Sequence, residues 1–161
     1  MGENEKSIGD RLAERLVRVI ESRAEDIAKV WYRDAKESIY LPNIKKIPED
    51  QALKIATTVY KKLSYWLLPS SEKEIRTVYE KFGAAMYRRG FRMEEVVMIL
   101  ILVKRYLWLH LLEEGLMTTN LDLYQALDLN NKVVLYFDRA IYFSLVGYKE
   151  ARSKSLEAAS T

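Results

Sequence analysis

The longest unbroken apolar run in this chain, Val96-Val97-Met98-Ile99-Leu100-Ile101-Leu102-Val103, lies inside a stretch from Arg92 to Glu114 that contains neither Gly nor Pro. Wound at about 3.6 residues per turn, such a run leaves the helix no polar side. A helix of this kind is the central one of its fold, or its outer side is covered by a partner. The run is far short of the ~20 residues that span a bilayer. With 6 Gly and 3 Pro in 161 residues, turn-formers are too few for a domain of many short strands.

The rest of the chain carries the same period. Ser7-Ile8-Gly9-Asp10 reads as the opening of a first helix, with Asp10 at its positive end and Ile8, Leu12, Leu16, Val19 and Ile20 inward. Ser22-Arg23-Ala24-Glu25 has capping-box spacing and predicts a second start, unless the two helices are continuous. Ile27, Val30, Trp31 and Ala35 form its inner face, and Leu41-Pro42-Asn43 breaks it. Pro48, Glu49 and Asp50 open a third helix that runs through Leu53, Ala56, Leu63 and Leu67 to Leu68-Pro69. Ser71-Glu72-Lys73-Glu74 predicts a fourth, ending at Gly90. The fifth is Arg92–Glu114, stopped by Gly115. The last begins near Thr118, Thr119 or Asn120 and runs past Tyr148 into a polar tail, residues 152–161, expected to fray. The expected architecture is all-α, a single domain of five or six helices over residues 1–161 with an ordered core at about 7–150. The short link 115–120 makes the last two helices antiparallel neighbours.

Composition removes most chemistry. The chain has 1 histidine, His110, and no cysteine, so thiol nucleophiles, Ser-His-Asp triads and the usual zinc sites are out of reach. A di-metal carboxylate site in a bundle needs Glu-x-x-His on two helices. No Gly-rich phosphate loop is present. The net charge of +3 is too small an excess to argue for nucleic acid or an anionic membrane. The polar N-terminus has no signal-peptide core, and absent cysteine fits a reducing compartment, so the expected location is cytoplasmic. No cofactor and no catalytic residue are expected.

A few residues stand out as binding candidates. Val96, Leu100, Val103, Leu107 and His110 fall on one stripe, which turns the histidine toward a neighbouring helix. An axial haem ligand would need such a position, while a plain packed histidine near a helix C-terminus explains it as well. Arg105, Tyr106 and Tyr142 are the other candidates for a ligand pocket. Arg88-Arg89 forms a basic cluster fit for an anion or for a solvated last turn, and Asp138-Arg139 are charges set among apolar residues. Leu127, Val134, Ile141 and Tyr148 repeat every seven residues, a helix-pairing pattern. Ala140, Ser144 and Gly147 make a small-residue stripe on the same helix. Val134, Ile141, Ala140, Ser144 and Tyr148 are therefore the expected homodimer interface.

Two segments carry a family resemblance: Phe82-Gly83-Ala84-Ala85-Met86-Tyr87-Arg88-Arg89-Gly90-Phe91-Arg92-Met93-Glu94-Glu95-Val96-Val97 before the apolar helix, and Tyr136-Phe137-Asp138-Arg139-Ala140-Ile141-Tyr142 ending in Gly147-Tyr148. The chain resembles the N-terminal sensor domain of RsbRD-type proteins, co-antagonists of the kinase RsbT in bacterial stress signalling. The resemblance implies a helical, globin-like input domain without an enzymatic site, usually dimeric, that signals through its last helix to an effector or to a protein partner. Nothing follows residue 161, so the expectation is either a stand-alone relative or a piece of a longer protein. The alternative reading is a globin-like haem or small-ligand protein using His110. Against it, the proximal ligand of globin-like folds precedes the last two long helices, and His110 lies late in the penultimate one.

Overall fold

A computed structural model describes the backbone of residues 2–160 and the side chains of residues 12–160. Seven α-helices follow one another: α1 (Gly2–Ser22), α2 (Ala24–Glu37), α3 (Glu49–Lys61), α4 (Leu63–Trp66), α5 (Glu72–Arg88), α6 (Met93–Glu113) and α7 (Asn120–Ser160). Short 3-10 turns at Ile44–Lys46 and Pro69–Ser71 join α2 to α3 and α4 to α5. No strand occurs among the described residues, and the fold is an all-α bundle. Six helices are long and α4 is a single turn. No helix among the described residues is long and apolar enough to cross a membrane.

The helix boundaries show where local signals were overruled. α1 begins at Gly2, so Asp10 lies inside it rather than at its start; the side chains of Asp10 and Ile8 fall outside the described residues. The break between α1 and α2 is one residue, Arg23, and the amide ladder almost crosses it: Arg23 N donates to Val19 O and Ile27 N to Arg23 O. Ser22 does not cap α2. Its hydroxyl turns back to Val19 O at 3.0 Å. Ser71 behaves alike, its buried hydroxyl directed at the carbonyls of Trp66 and Leu68. A serine hydroxyl that finds a carbonyl behind it gives up the amides ahead. The expected single helix from Pro48 to Leu67 breaks at Lys62, which lets both Leu63 and Trp66 reach the core. There the Trp66 indole donates to Thr58 O at 2.9 Å.

Two ends follow their local signals. Gly90, at φ +84°, closes α5 in a Schellman turn, with Phe91 N on Met86 O and Gly90 N on Tyr87 O. Thr119 and Asp122 form a reciprocal cap on α7: Asp122 N donates to Thr119 Oγ1, and Thr119 N to the Asp122 carboxylate. The tail expected to fray is helical through Ser160.

α6 fills the middle of the bundle. Val96, Ile99, Leu100, Val103, Leu107 and Leu111 are fully buried, while Val97, Met98, Ile101 and Leu102 are half-buried. The stripe that ends in His110 is thus the inward one. Glu95 is buried at the start of α6 and fully engaged. Its carboxylate accepts Arg92 N (2.8 Å), Asn43 N (2.9 Å) and Asn43 Nδ2 (2.8 Å), fastening the α2–α3 connection to the start of α6.

Candidate functional site

α7 is the element that organises the second half of the chain. Its inward stripe is Ala126, Leu129, Val133, Tyr136, Phe137, Ala140, Ser144, Gly147 and Tyr148, spaced by three and four. The residues that meet it come mainly from α5, and the two helices run parallel. Glu72 pairs with Arg139 at 3.8 Å, Arg76 lies over the Phe143 ring, and the Tyr79 hydroxyl meets that of Tyr136. Further along, Tyr87 packs edge-on against Tyr148. Between these points the backbones touch. A Cβ on Gly83 would overlap the Ser144 carbonyl and come within 2.9 Å of Tyr148 N; a Cβ on Gly147 would overlap the Glu80 carbonyl. Small residues on both helices are what permit this approach.

This geometry corrects part of the expected dimer interface. Ala140, Ser144 and Tyr148 are buried inside the chain against α5, so the small stripe serves an intramolecular contact. Tyr148 also donates to Phe91 O at 2.7 Å, which locks α7 to the start of α6 and fixes those two helices as antiparallel. Val134 and Ile141 are half-buried. The seven-residue stripe has a simple fate on a straight helix. A 3.6-residue turn drifts about 20° per heptad against a 3.5 repeat, so the stripe begins outside at Leu127, 61% exposed, and ends inside at Tyr148, 7% exposed.

What stays outside is a second face of α7. Tyr124, Leu127, Leu135 and Tyr142 are exposed along it, and Leu156 continues it near the end of the helix. Leu109 and Leu112 on α6, with Leu121 and Leu123, add exposed apolar surface at the α6–α7 turn.

The candidate ligand residues do not form one pocket. His110 is half-buried, and its Nε2 lies 3.2 Å from Glu114 Oε1 on its own helix, without hydrogen-bond alignment. Tyr106 turns instead to α2 and donates to Asp34. Burial, then that hydrogen bond, pushes the Tyr106 phenol up to about 12, and the same bond holds the Asp34 carboxyl below its usual value. Arg105 is exposed. Tyr142 is exposed on the outer face of α7. Because Tyr148 sits level with Phe91, Tyr142 is about 20 Å along the helices from His110 at ~1.5 Å per residue. No group of three or more His, Asp or Glu stands together as metal ligands among the described residues. Asp138 is exposed, and Arg139 is accounted for by Glu72.

Sequence reasoning missed the buried carboxylate of Glu95 and the tyrosine pair 79–136. Burial raises the Tyr79 phenol to about 12 and the Tyr136 phenol well above its ordinary value. The spacing of Tyr79 on the inner face of α5 was the available signal; its partner lies 57 residues away.

No curated protein and no solved structure matches the chain. A family model does, over residues 67–161: the RsbT co-antagonist protein rsbRD N-terminal domain. The matched stretch begins just after α4 and takes in α5, α6 and all of α7, the helices joined by the glycine contacts and by the Tyr148–Phe91 bond. The chain therefore belongs to the RsbRD N-terminal domain family, a regulatory family of the stressosome type.

Proposed function

We propose that this chain is a non-catalytic input domain of a bacterial stress-signalling regulator, acting in the cytoplasm as a homodimer and transmitting through α7. The observation that carries the reading is the reach of that helix. α7 continues for twelve residues past Tyr148, its last buried residue, and remains helical to Ser160 with almost every side chain exposed. A twelve-residue helical extension without tertiary packing is marginal in water. A partner helix would stabilise it, and the unpartnered outer face of α7 supplies the surface. At ~100° per residue, Tyr124, Leu127, Val134, Leu135, Ile141, Tyr142 and Leu156 fall on one side of the helix. Pairing two copies on this face with a two-fold axis would set the two extensions side by side. A signal that shifts one subunit against the other would then be passed along both.

Sedimentation equilibrium tests the reading. A dimer at ~100 μM is expected, converted to monomer by Tyr124→Glu with Leu127→Glu, because charges buried at a helix pair cost several kcal/mol. Both side chains are exposed within the chain, so these changes leave the fold intact. A monomeric wild type at that concentration would overturn the proposal.

A further inference from the structure

α5 and α7 run parallel, but α5 stops at Arg88 and α7 does not. The step between them is a cleft of about 760 Å³, lined by Tyr87, Arg88 and Gly90 on one side and Ala151, Lys154 and Ser155 on the other. Past Arg88 and Lys154 it runs on into a second groove, where Lys81 and Ala84 face Gly147 and Glu150. Arg88, Ala151 and Lys154 line both, so the two make one furrow.

The furrow is basic. Arg88 and Lys154 flank it from different helices, and neither is in an ion pair among the described residues. Lys46 Nζ stands at its mouth, 3.5 Å from where a Cβ on Gly90 would lie. Of the two carboxylates along it, Glu80 is bound to Arg76 at 3.0 Å, which leaves Glu150. Complementing the α5 dipole accounts for Arg88. It does not account for Lys154 or Lys46, which belong to other segments. Arg89, the second member of the basic pair, is already committed to Gln51.

We propose that this furrow docks an acidic peptide segment of a protein partner. Its shape favours a chain over a small anion. From Gly147 to Ser155 it follows α7 for about 12 Å, the length of three or four extended residues. It is open, whereas small-molecule sites enclose their ligands. A single oxyanion would meet only exposed, flexible cations; a run of carboxylates would meet Lys81, Arg88, Lys154 and Lys46 in turn. The furrow also leaves α7 pairing free. Gly147, Ala151 and Lys154 lie on the side of the helix opposite Leu145, Arg152 and Leu156.

Fluorescence anisotropy with a fluorescein-labelled hexaglutamate peptide tests this. At ~20 mM salt the wild type is expected to bind, and Arg88→Gln with Lys154→Gln to weaken binding about tenfold or more. Lys29→Gln with Lys54→Gln removes the same charge from exposed sites on α2 and α3 and should change it less than about twofold. All four side chains are exposed, so thermal melting should show every variant folded. No binding, equal weakening by both double variants, or displacement by equimolar inorganic phosphate would each overturn the proposal. Ala151, Lys154 and Ser155 lie on the α7 extension, so docking rests on that segment staying helical; sedimentation reads the dimer and anisotropy the docking, so the failure of one is distinguishable from the failure of the other.

Discussion

Gly147 lies against Glu80 so closely that a Cβ atom on the glycine would overlap the Glu80 carbonyl oxygen. The obstacle is backbone on a parallel helix and cannot swing away. Gly147→Ala gains up to ~1 kcal/mol of helix propensity, but it forces α5 and α7 apart along an interface that includes Tyr79–Tyr136 and Tyr87–Tyr148. Overpacking costs typically ~1–3 kcal/mol, and here the upper end or beyond is expected because neither side can relax. Urea denaturation should show Gly147→Ala and Gly83→Ala each net destabilised. A stabilised variant at either site would contradict the contact.

Glu95 joins two segments that no other side-chain hydrogen bond connects among the described residues. Replacing it with Ala leaves Asn43 N, Asn43 Nδ2 and Arg92 N without their acceptor. The loss should be on the order of 3 kcal/mol, as for buried bonds to a charged group. Glu95→Gln should cost less, since one amide oxygen survives. Hydrogen exchange at the Asn43 amide, slow in the wild type and fast in Glu95→Ala, locates the effect.

The tyrosines predict an alkaline limit to stability. Folded Tyr79 and Tyr106 titrate near 12, against 10.0 for the ordinary phenol, and burial raises Tyr60 and Tyr136 as well. The unfolded chain therefore releases these protons first. Their contribution is complete below pH 10 and is lost as pH rises from 10 toward 12. Asp34 works in the opposite window: its lowered value contributes above the unfolded carboxyl range and is lost in acid. Absorbance at 295 nm should show these phenols ionising together with unfolding. Tyr106→Phe should raise the Asp34 titration toward the ordinary carboxyl value by NMR.

Among the described residues, Glu114 is the one ion-pair partner of His110, on a partly exposed helix end. Pairs of this exposure contribute ~0–1 kcal/mol. His110→Leu should thus shift stability by about that much and leave the visible spectrum of the purified protein unchanged. A Soret band present in the wild type and lost in the variant would restore the haem reading.

The sequence made the stops and the inward stripes legible because each is local. Gly90 ends α5 and Gly115 follows α6 where their conformational freedom is needed, and the 96–100–103–107 stripe is buried as its spacing requires. Capping boxes at Ser22 and Ser71 were illegible because the same hydroxyl has a second choice, a carbonyl behind it. The small stripe Ala140-Ser144-Gly147 announced a close helix contact, but periodicity cannot name the helix that makes it. Gly83, 61 residues before Ser144, held the answer. The basic furrow was half legible: Arg88-Arg89 shows in the sequence, while Lys154 joins it only because α7 outruns α5.

That overrun yields the last prediction. Residues 149–160 carry no buried side chain, so the chain's own core does not hold their helix. If two α7 helices pair, the extension is folded in the dimer and marginal in the monomer, since a helix end without tertiary packing has only its own propensity to hold it and frays from its terminus. Far-UV circular dichroism per residue should therefore fall on dilution, by about the signal of one dozen helical residues, with a midpoint that matches the dissociation constant from sedimentation. Tyr124→Glu with Leu127→Glu should give the reduced signal at every concentration, although both changes lie more than twenty residues from the segment that melts. A truncation after Tyr148 should show no concentration dependence beyond that of the core. Helicity that stays constant from ~1 to ~100 μM while the dimer dissociates would mean that the extension holds by itself, and that α7 does not need its twin to stay rigid.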